Sequence, residues 1–259
     1  MKKRVLLVTL FLLSTILAAC GGKTTTSEGY ELVKEDKFTF ASSGEFAPFS
    51  VTDGSGNMTG FDIEVGEAIA AELGLEPEQE KYTFASIVEG VKNGRFDAAV
   101  ASHTITEERL KEVDFSTPYY YSGAQIFVRP DSDIQTMDDL EGMEIAVSRG
   151  STYADLVEGV SDNIVNYDSD VVALEALNNG RHDAVVTDFV TGREAIGSGM
   201  ELEARELLDR SEQAVAVAKG NEALLEAINE ALETLRENGK LKEISEKYFG
   251  EDITSDPGE

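Results

Sequence analysis

The sequence of 259 residues contains one cysteine and two histidines. A disulfide within the chain is therefore excluded, and a zinc site of Cys and His ligands cannot be assembled. Basic residues are also scarce, since 22 Lys and Arg stand against 50 Asp and Glu, a formal net charge of −28. A surface with this charge repels phosphate backbones, so nucleic acid is not expected as a partner. No metal or cofactor is expected either.

Long apolar runs are scarce as well, and one of them opens the chain. Residues 2–4 are basic, Val5–Ala19 is mostly apolar, and Cys20 follows. This order is typical of a secretory signal that is too short for a membrane span. The residues around Cys20 resemble the bacterial lipobox, so we expect residues 1–19 to be a lipoprotein signal peptide, Cys20 to be lipidated and residues 20–30 to form a flexible tether. The alternative is an ordinary signal peptide with a chance cysteine.

Apolar periodicity divides the remaining chain into alternating strands and helices. Strands are predicted at Lys37–Ala41, Ala98–Ala101, Gln125–Val128, Glu144–Val147 and Ala184–Thr187. Helices are predicted at Gly60–Gly74, Ile87–Lys92, Thr152–Val157, Val171–Asn178, Leu224–Asn238 and Leu241–Phe249. Because strands that alternate with helices form βαβ units, the pattern indicates an α/β protein with mostly parallel sheets.

One pattern occurs twice in the sequence. Residues 88–102 and 174–188 each read as a helix, a glycine turn and a buried strand that ends in a polar residue. Convergence can produce this pattern, since glycine after a helix and branched residues in a strand are common. The alternative is a pair of similar lobes, and ligands of open α/β sheets bind outside the carboxyl ends of the strands. In that case the strand ends at Ser102–Thr104 and at Asp188 face each other across a cleft.

Two charged side chains follow these strand ends. Arg109 lies at a predicted helix start with Thr106 as N-cap, and its guanidinium could bind a carboxylate through two parallel hydrogen bonds. Asp188 could accept an ammonium. Each residue also has an ordinary interpretation, Arg109 as an exposed helix charge and Asp188 as the N-cap of the next helix. A cation and an acid on opposite sides of a cleft suit a zwitterion, that is, an α-amino acid.

A set of motifs spread over residues 35–250 points to a known family. The motifs are Phe46-Ala47-Pro48-Phe49, Gly60-Phe61-Asp62-Ile63-Glu64, Ile105–Arg109, Val113–Tyr120, Leu140-Glu141-Gly142, Arg149–Thr152, Gly239-Lys240-Leu241 and Lys247-Tyr248-Phe249. Together they resemble the solute-binding proteins of polar amino acid ABC transporters, bacterial extracellular solute-binding protein family 3, which includes glutamine-binding and lysine/arginine/ornithine-binding proteins.

The resemblance implies a fold and a division into lobes. The fold is periplasmic-binding-protein-like type II, with two α/β lobes joined by two hinge strands. Lobe 1 is expected at residues 31–122 plus 214–250, and lobe 2 at residues 125–212. Residues 251–259 are expected to be a disordered tail.

The resemblance also implies how the main chain of an amino acid is bound. It places Arg109 on the ligand carboxylate, with help from Ser102, Thr104 and the Ser151–Thr152 segment. It places Asp188 on the ligand ammonium. These are expectations carried over from the family motif, position by position.

The ligand side chain is expected to meet a second group of residues. By the resemblance, Phe46 covers the side chain and Phe84 flanks it. Ser43, Ser148 and Thr187 match positions that tune the choice of side chain. Members that bind basic amino acids commonly have an acid at the position of Ser43, so its absence weakens that option.

Three positions depart from the pattern or stay open. Ala101 stands where some members have a ligand-binding serine, so one hydrogen bond is absent. His103 replaces an apolar residue, and it is either a packed or rim histidine or a ligand contact. Arg149 either meets the ligand side chain or is a surface charge beside a glycine turn.

The implied function is that of an extracellular receptor of an ABC importer. It binds a polar or sulfur-containing L-amino acid by hinge closure and delivers it to the transmembrane subunits of the permease. We expect a monomer without enzymatic activity, held by its lipid on the extracellular face of the cell membrane or on the periplasmic side of an envelope membrane. Alternatives from other classes are a bilobal dehydratase-type enzyme, an amino-acid-sensing domain and a surface adhesin.

Overall fold

The structure is a computed structural model, which describes residues 24–27 and 29–256. The predicted signal peptide and Cys20 lie outside these residues. Within the described part of the chain, no helix combines the length and the apolar character needed to cross a membrane.

Strands and helices alternate along most of the chain. The strands are β1 (Thr24–Thr25), β2 (Glu31–Leu32), β3 (Lys37–Ser42), β4 (Glu45–Phe46), β5 (Ser50–Thr52), β6 (Met58–Thr59), β7 (Glu76–Lys81), β8 (Ala98–Thr104), β9 (Val113–Ser122), β10 (Ala124–Val128), β11 (Ile145–Ser148), β12 (Ile164–Tyr167), β13 (Ala184–Asp188), β14 (Glu203–Leu207) and β15 (Ser211–Ala218). The helices are α1 (Phe61–Glu72), α2 (Phe84–Lys92), α3 (Arg109–Glu112), α4 (Thr152–Val157), α5 (Asp170–Asn178), α6 (Phe189–Gly197), α7 (Glu222–Glu237) and α8 (Lys240–Phe249), with a 3₁₀ turn at Met137–Leu140.

Two five-stranded sheets form the two lobes. The strand order is β7-β3-β8-β15-β9 in the first sheet and β12-β11-β13-β10-β14 in the second. Strand β3 runs parallel to β7 and β8, and β11 runs parallel to β12 and β13. The pairings of β15 and β10 are antiparallel. The prediction of mostly parallel sheets is therefore wrong, because the strands that connect the lobes enter each sheet from the other lobe.

The central strands β8 and β13 are buried on both faces of their sheets. In β8, Ala98 and Val100 pack in one apolar cluster, whereas Ala99 packs in the cluster on the other face. In β13, Val186 and Val185 are divided between two clusters in the same way. Neither strand has a solvent face, which is why both read as continuous apolar runs in the sequence.

The lobes are connected by two adjacent crossings. Gly123 joins β9 to β10, and residues 208–210 join β14 to β15. A Cβ at Gly123 would lie 2.1 Å from the carbonyl oxygen of Asp209, so the two crossings touch. The Ala124 amide donates to Asp209 Oδ1 at 2.7 Å, and the Leu208 amide donates to the Ala124 oxygen at 2.8 Å. These bonds hold the crossings side by side as a hinge.

The repeated sequence pattern forms the same structural unit in each lobe, as the second interpretation predicted. Asn93 and Asn179 are the C-caps of helices α2 and α5. Each asparagine precedes a glycine with positive φ, 65° at Gly94 and 78° at Gly180, and a buried strand follows. The two units bring the carboxyl ends of β8 and β13 toward the region between the lobes.

The C-terminal segment differs from expectation. Residues 251–256 are structured, whereas the sequence suggested a disordered tail from residue 251. Ile253 is buried in the core of lobe 1, and its carbonyl oxygen accepts the Tyr121 amide at 2.9 Å. Glu251 also pairs with Arg193 of α6 at 3.1 Å. The buried side chain, the backbone bond and the ion pair tie this short segment to the rest of the fold.

Other boundaries also differ from the sequence-based ones. Strand β1 pairs with β2, so the expected flexible tether is structured from Thr24, except at residue 28, which lies outside the description. Strand β15 joins the first sheet from Ser211, ahead of the lobe boundary expected at residue 214. Helix α3 begins at Arg109 with Glu108 as its N-cap. Thr106 is not the N-cap, although its hydroxyl accepts the Arg109 amide at 3.1 Å.

Candidate functional site

A cavity of about 420 Å³ lies between the lobes, beyond the carboxyl ends of β8 and β11. Its lining residues are Ser43, Glu45, Phe46, Phe84, Ser102, Thr104, Arg109, Ser148, Ser151, Thr152, Tyr153, Asp168 and Asp170. All the predicted ligand-binding residues are among them except Thr187 and Asp188.

Arg109 is held in place by both lobes. Its Nη1 donates to the carbonyl oxygen of Thr104 at 2.9 Å, and its Nη2 donates to that of Gly150 at 3.1 Å. Its guanidinium carbon lies 5.8 Å from the centroid of the Phe84 ring. Burial lowers the pKa of Arg109 from its usual range, although nearby acids such as Asp155 oppose this change. The guanidinium remains charged, because an arginine pKa lies far above neutral pH.

Asp170 is a buried acid on the lobe 2 wall of the cavity. It is 6% exposed, and its Oδ1 accepts the hydroxyl of Thr187 at 2.6 Å. Burial raises the pKa of Asp170, and hydroxyl bonds from Thr187 and Ser148 partly offset that effect. Thr187 therefore lies behind Asp170 and orients its carboxylate.

Asp188 is fully buried at the start of α6. Its Oδ1 accepts the amides of Val190 at 2.8 Å and Thr191 at 3.4 Å, so Asp188 is the N-cap of this helix. Its Oδ2 accepts the hydroxyl of Tyr153 at 3.3 Å, and Tyr153 lines the cavity. Burial raises the pKa of Asp188 to about 6. The structure thus shows the capping role, while the ammonium role stays a prediction.

Ser102 belongs to a buried hydrogen-bond network with Asp62 of α1 and Tyr119 of β9. Its hydroxyl donates to Asp62 Oδ2 at 2.8 Å, and its amide donates to the Tyr119 hydroxyl at 2.9 Å. The Tyr119 hydroxyl donates in turn to Asp62 Oδ1 at 2.7 Å. Ser102 has a positive φ of 57°, a conformation that is uncommon for a serine and is held here by this network.

Aromatic rings form the apolar part of the wall. Phe46 stacks on Phe49 with centroids 4.7 Å apart, and Phe84 stacks on His103 with centroids 4.4 Å apart. His103 is 1% exposed and is not among the lining residues, so it packs behind Phe84. Burial keeps the pKa of His103 well below its usual range, with a contribution from Arg109. The histidine is therefore neutral at physiological pH.

The acids at the edge of the cavity are paired with bases. Glu45 Oε1 lies 3.0 Å from Lys81 Nζ, and Asp168 Oδ1 lies 3.2 Å from Arg149 Nε. Arg149 is more than half exposed and is not among the lining residues, so it reaches the cavity through Asp168. Across the cavity edge, the hydroxyl of Ser169 donates to the backbone oxygen of Glu45 at 2.9 Å.

Comparison with known proteins agrees with this architecture. The family model of the bacterial extracellular solute-binding proteins, family 3, matches residues 38–251. The chain belongs to this family. The type II fold that the sequence motifs implied is confirmed.

Family 3 relatives match most of the chain. The L-cystine-binding protein TcyJ of Escherichia coli is 34% identical over 219 residues, which are 82% of this chain and 82% of TcyJ. The probable amino-acid-binding protein YxeM of Bacillus subtilis is 33% identical over 266 residues, covering 98% of this chain and 97% of YxeM. A solved structure of an ancestral arginine-binding protein bound to arginine superposes with a TM-score of 0.77 at 33% identity, covering 83% of this chain and 99% of that one. These relatives are named as binding proteins, not as enzymes.

Four lining residues were not predicted from the sequence as ligand-binding residues, namely Glu45, Tyr153, Asp168 and Asp170. A signal for Asp170 was present in the sequence. The repeated pattern starts at residues 88 and 174, and α2 and α5 begin one turn earlier at the same offset, at Phe84 and Asp170. Extending the repeat back by one helical turn pairs two residues that both line the cavity.

Proposed function

We propose that this protein is the extracellular receptor of an ABC importer for a polar or sulfur-containing L-amino acid. The composition of the cavity wall carries the proposal. Among the described residues of that wall, Arg109 is the one cationic side chain, and Asp170 is a buried acid on the other lobe. A cation and an acid separated by hydroxyl side chains match a zwitterion.

The ligand carboxylate binds Arg109 in this proposal. A guanidinium carries five N–H donors, and among the described residues only Thr104 and Gly150 accept hydrogen bonds from this one. The remaining donors suffice for two parallel bonds to a carboxylate. Arg109 is partly buried, which strengthens such a charge-assisted pair. The hydroxyls of Thr104 and Thr152 add polar groups from the two lobes.

The ligand ammonium binds near the acids of lobe 2. Asp170 lies on the wall, and Asp188 lies behind Tyr153. Burial raises the pKa of both carboxyls, because desolvation disfavours their charged forms. An ammonium within a few ångströms favours the charged carboxylate and so offsets that cost. The buried carboxylates thus supply a negative charge, and the ammonium of the amino acid is its positive partner.

The side chain of the ligand carries no net charge in this proposal. The two edge acids, Glu45 and Asp168, already have partners in Lys81 and Arg149. The rings of Phe46 and Phe84 offer apolar faces, which suit methylene groups and also sulfur. Relatives named for cystine and for arginine are about equally similar to this chain, so identity alone does not choose the ligand.

Ligand binding favours the closed arrangement of the lobes. Arg109 belongs to lobe 1, and Asp170 and Asp188 belong to lobe 2, so one bound amino acid bridges them. A ligand that contacts both lobes stabilises the state in which they are close, which is the basis of hinge closure in such receptors. The permease then recognises the closed receptor and receives the amino acid.

The placement of the receptor at the cell surface is part of the same proposal. Residues 1–19 are removed as a lipoprotein signal peptide, and Cys20 carries the lipid that holds the protein at the membrane. Acyl chains contribute on the order of 0.8 kcal/mol per buried methylene to such anchoring. The receptor acts as a monomer.

A thermal-shift panel tests this function. Residues 31–259 are unfolded and refolded to remove bound ligand, then heated with each proteinogenic amino acid and with cystine. A ligand at about 100 times its Kd stabilises by roughly 2.7 kcal/mol, a shift of several degrees in Tm. We expect one or a few amino acids to raise Tm. The shift should be lost in Arg109→Ala and kept in Arg193→Ala, a matched arginine outside the cavity. If no amino acid raises Tm, the proposal is wrong.

A further inference from the structure

Asp62 is a fully buried acid that lies outside the cavity wall. It lies in the first turn of α1 and is 0% exposed. None of the ion pairs among the described residues involves it. Instead, each of its oxygens accepts a hydroxyl group, from Ser102 at 2.8 Å and from Tyr119 at 2.7 Å. An acid in the core with this much hydrogen bonding orients the groups that donate to it.

Both polar hydrogens of Ser102 are donated within this network. Ser102 has two polar hydrogens, one on its hydroxyl and one on its amide. With Asp62 ionised, the form that a bound cation favours, the hydroxyl hydrogen goes to Asp62, and the amide hydrogen goes to the oxygen of Tyr119. The hydrogen of Tyr119 goes to Asp62 as well. Toward the cavity, which Ser102 lines, its Oγ therefore offers only lone pairs.

A hydroxyl with only lone pairs to offer accepts N–H groups and cannot donate to a carboxylate. We propose that Asp62 is a positioning residue of the amino-acid site, which acts through Ser102 to make this part of the wall an acceptor for the ligand ammonium. This inference rests on the proposed function, and it differs from the family-based expectation that Ser102 assists Arg109 on the carboxylate.

The backbone supports the same assignment. Ser102 is held at a φ of 57°, in the left-handed region that serine rarely occupies. Asp62 and Tyr119 come from α1 and β9, so the strained residue is fixed from two separate elements. Strain of this kind persists only where the surroundings determine it, and it clusters at ligand sites.

The charges around Asp62 agree with an ammonium nearby. The groups that face it are the Tyr119 hydroxyl from β9, the Ser102 hydroxyl from β8 and the charge of Asp188 at the start of α6. Burial raises the pKa of Asp62 to about 7, and the Asp188 charge contributes in the same direction. A cation bound between Ser102 and Asp188 would favour the ionised form of both acids.

A double-mutant cycle separates positioning from general stability. The probe is the amino acid that raises Tm most in the panel, measured by isothermal titration calorimetry with wild type, Asp62→Asn, Ser102→Ala and the double variant. We expect Asp62→Asn alone to weaken binding about tenfold, the effect of one lost hydrogen bond to a charged group. In the Ser102→Ala background, Asp62→Asn should weaken binding less than about twofold, because the hydroxyl through which Asp62 acts on the ligand is already absent.

A desamino analogue of the same probe, with hydrogen in place of the ammonium, gives an independent readout. Asp62→Asn and Ser102→Ala should weaken binding of the amino acid but leave the weak binding of the analogue within about twofold. Ser102→Ala and Tyr119→Phe supply this comparison if Asp62→Asn does not fold. Equal losses from Asp62→Asn in both backgrounds, or equal losses for both compounds, would overturn the inference while leaving the proposed function intact. Absence of binding in wild type would remove both.

Discussion

Arg109 donates a hydrogen bond across the cleft to the carbonyl oxygen of Gly150, with an Nη2–O distance of 3.1 Å. The residue proposed to bind the ligand carboxylate therefore also joins the two lobes. Gly150 also lies close to α2 of lobe 1, because a Cβ placed on it would be 3.1 Å from the Cβ of Ala85. In the proposed function, ligand binding and closure therefore involve the same few atoms.

This close approach makes Gly150 a test of closure. Gly150→Ala adds a methyl group that Ala85 must accommodate, so we expect the closed state to become less favourable and affinity to fall about tenfold. Gly142→Ala is the matched control, because Gly142 has nearly the same φ, 75° against 74°, and a Cβ placed on it would have no atom within 4 Å. Both changes strain the backbone alike. The affinity of each variant is measured by calorimetric titration, and its stability is measured as Tm. An equal affinity loss in the two variants would show that the contact with Ala85 is irrelevant to binding.

The shape of the Arg109 side chain should matter beyond its charge. Arg109→Lys keeps a cation but cannot form two parallel bonds to a carboxylate while also bonding Thr104 and Gly150. We expect affinity for the amino acid to fall by about tenfold or more, with little change in Tm of the ligand-free protein. Arg193→Lys, on the surface of lobe 2, should leave affinity unchanged. Full affinity in Arg109→Lys would mean that a point charge suffices.

The two buried acids of lobe 2 can be compared through their amides. Asp170→Asn and Asp188→Asn each remove a charge that we propose to attract the ligand ammonium, so each should weaken binding by about tenfold or more. Asparagine is as good an N-cap as aspartate, so Asp188→Asn should keep α6 intact. Calorimetry on both variants decides which acid contributes more. If neither substitution changes Kd, the ammonium is bound elsewhere.

Much of the architecture could be predicted because it is encoded locally. The buried strands β8 and β13 read as apolar runs, and the turns that precede them are marked by Gly94 and Gly180. Arg109 could be placed in the cleft because it follows a strand end by only a few residues. For these residues, neighbours in the sequence are also neighbours in space.

What could not be predicted depends on residues far apart in the chain. The ordering of residues 251–256 requires Ile253 to meet the core and the backbone of Tyr121. The antiparallel pairing of β15 follows from the second crossing between lobes, which no local pattern marks. The bond between Asp62 and Ser102 joins two separate motifs. Such contacts become visible only when the lobes are assembled.

Stability should depend on pH through Asp62. An aspartate in the unfolded chain has a pKa of about 3.9, whereas burial raises the pKa of Asp62 to about 7 in the folded protein. Between these values the native state holds a proton that the unfolded state has released. The free energy of unfolding therefore falls as pH rises through this window, by up to about 1.4 kcal/mol per pH unit from this group, and then levels off.

Urea unfolding of the ligand-free protein at several pH values measures this slope. Asp62→Asn has no titrating carboxyl at this position, so its stability should fall less steeply between about pH 4 and about pH 7. Acids distant from Asp62 titrate alike in both proteins and cancel in the comparison. Parallel curves for wild type and variant would show that Asp62 does not hold its proton in the folded state.

The central claim is that the cavity binds a zwitterion between Arg109 and the acids of lobe 2. Its most direct test is calorimetric titration of the refolded protein with the best amino acid of the panel and with two analogues, one without the ammonium and one with the carboxylate converted to an amide. We predict one bound amino acid per chain and a loss of at least about 100-fold in affinity for each analogue. Equal affinity for the amino acid and either analogue would contradict the account, because one of the two charged ends would then have no partner.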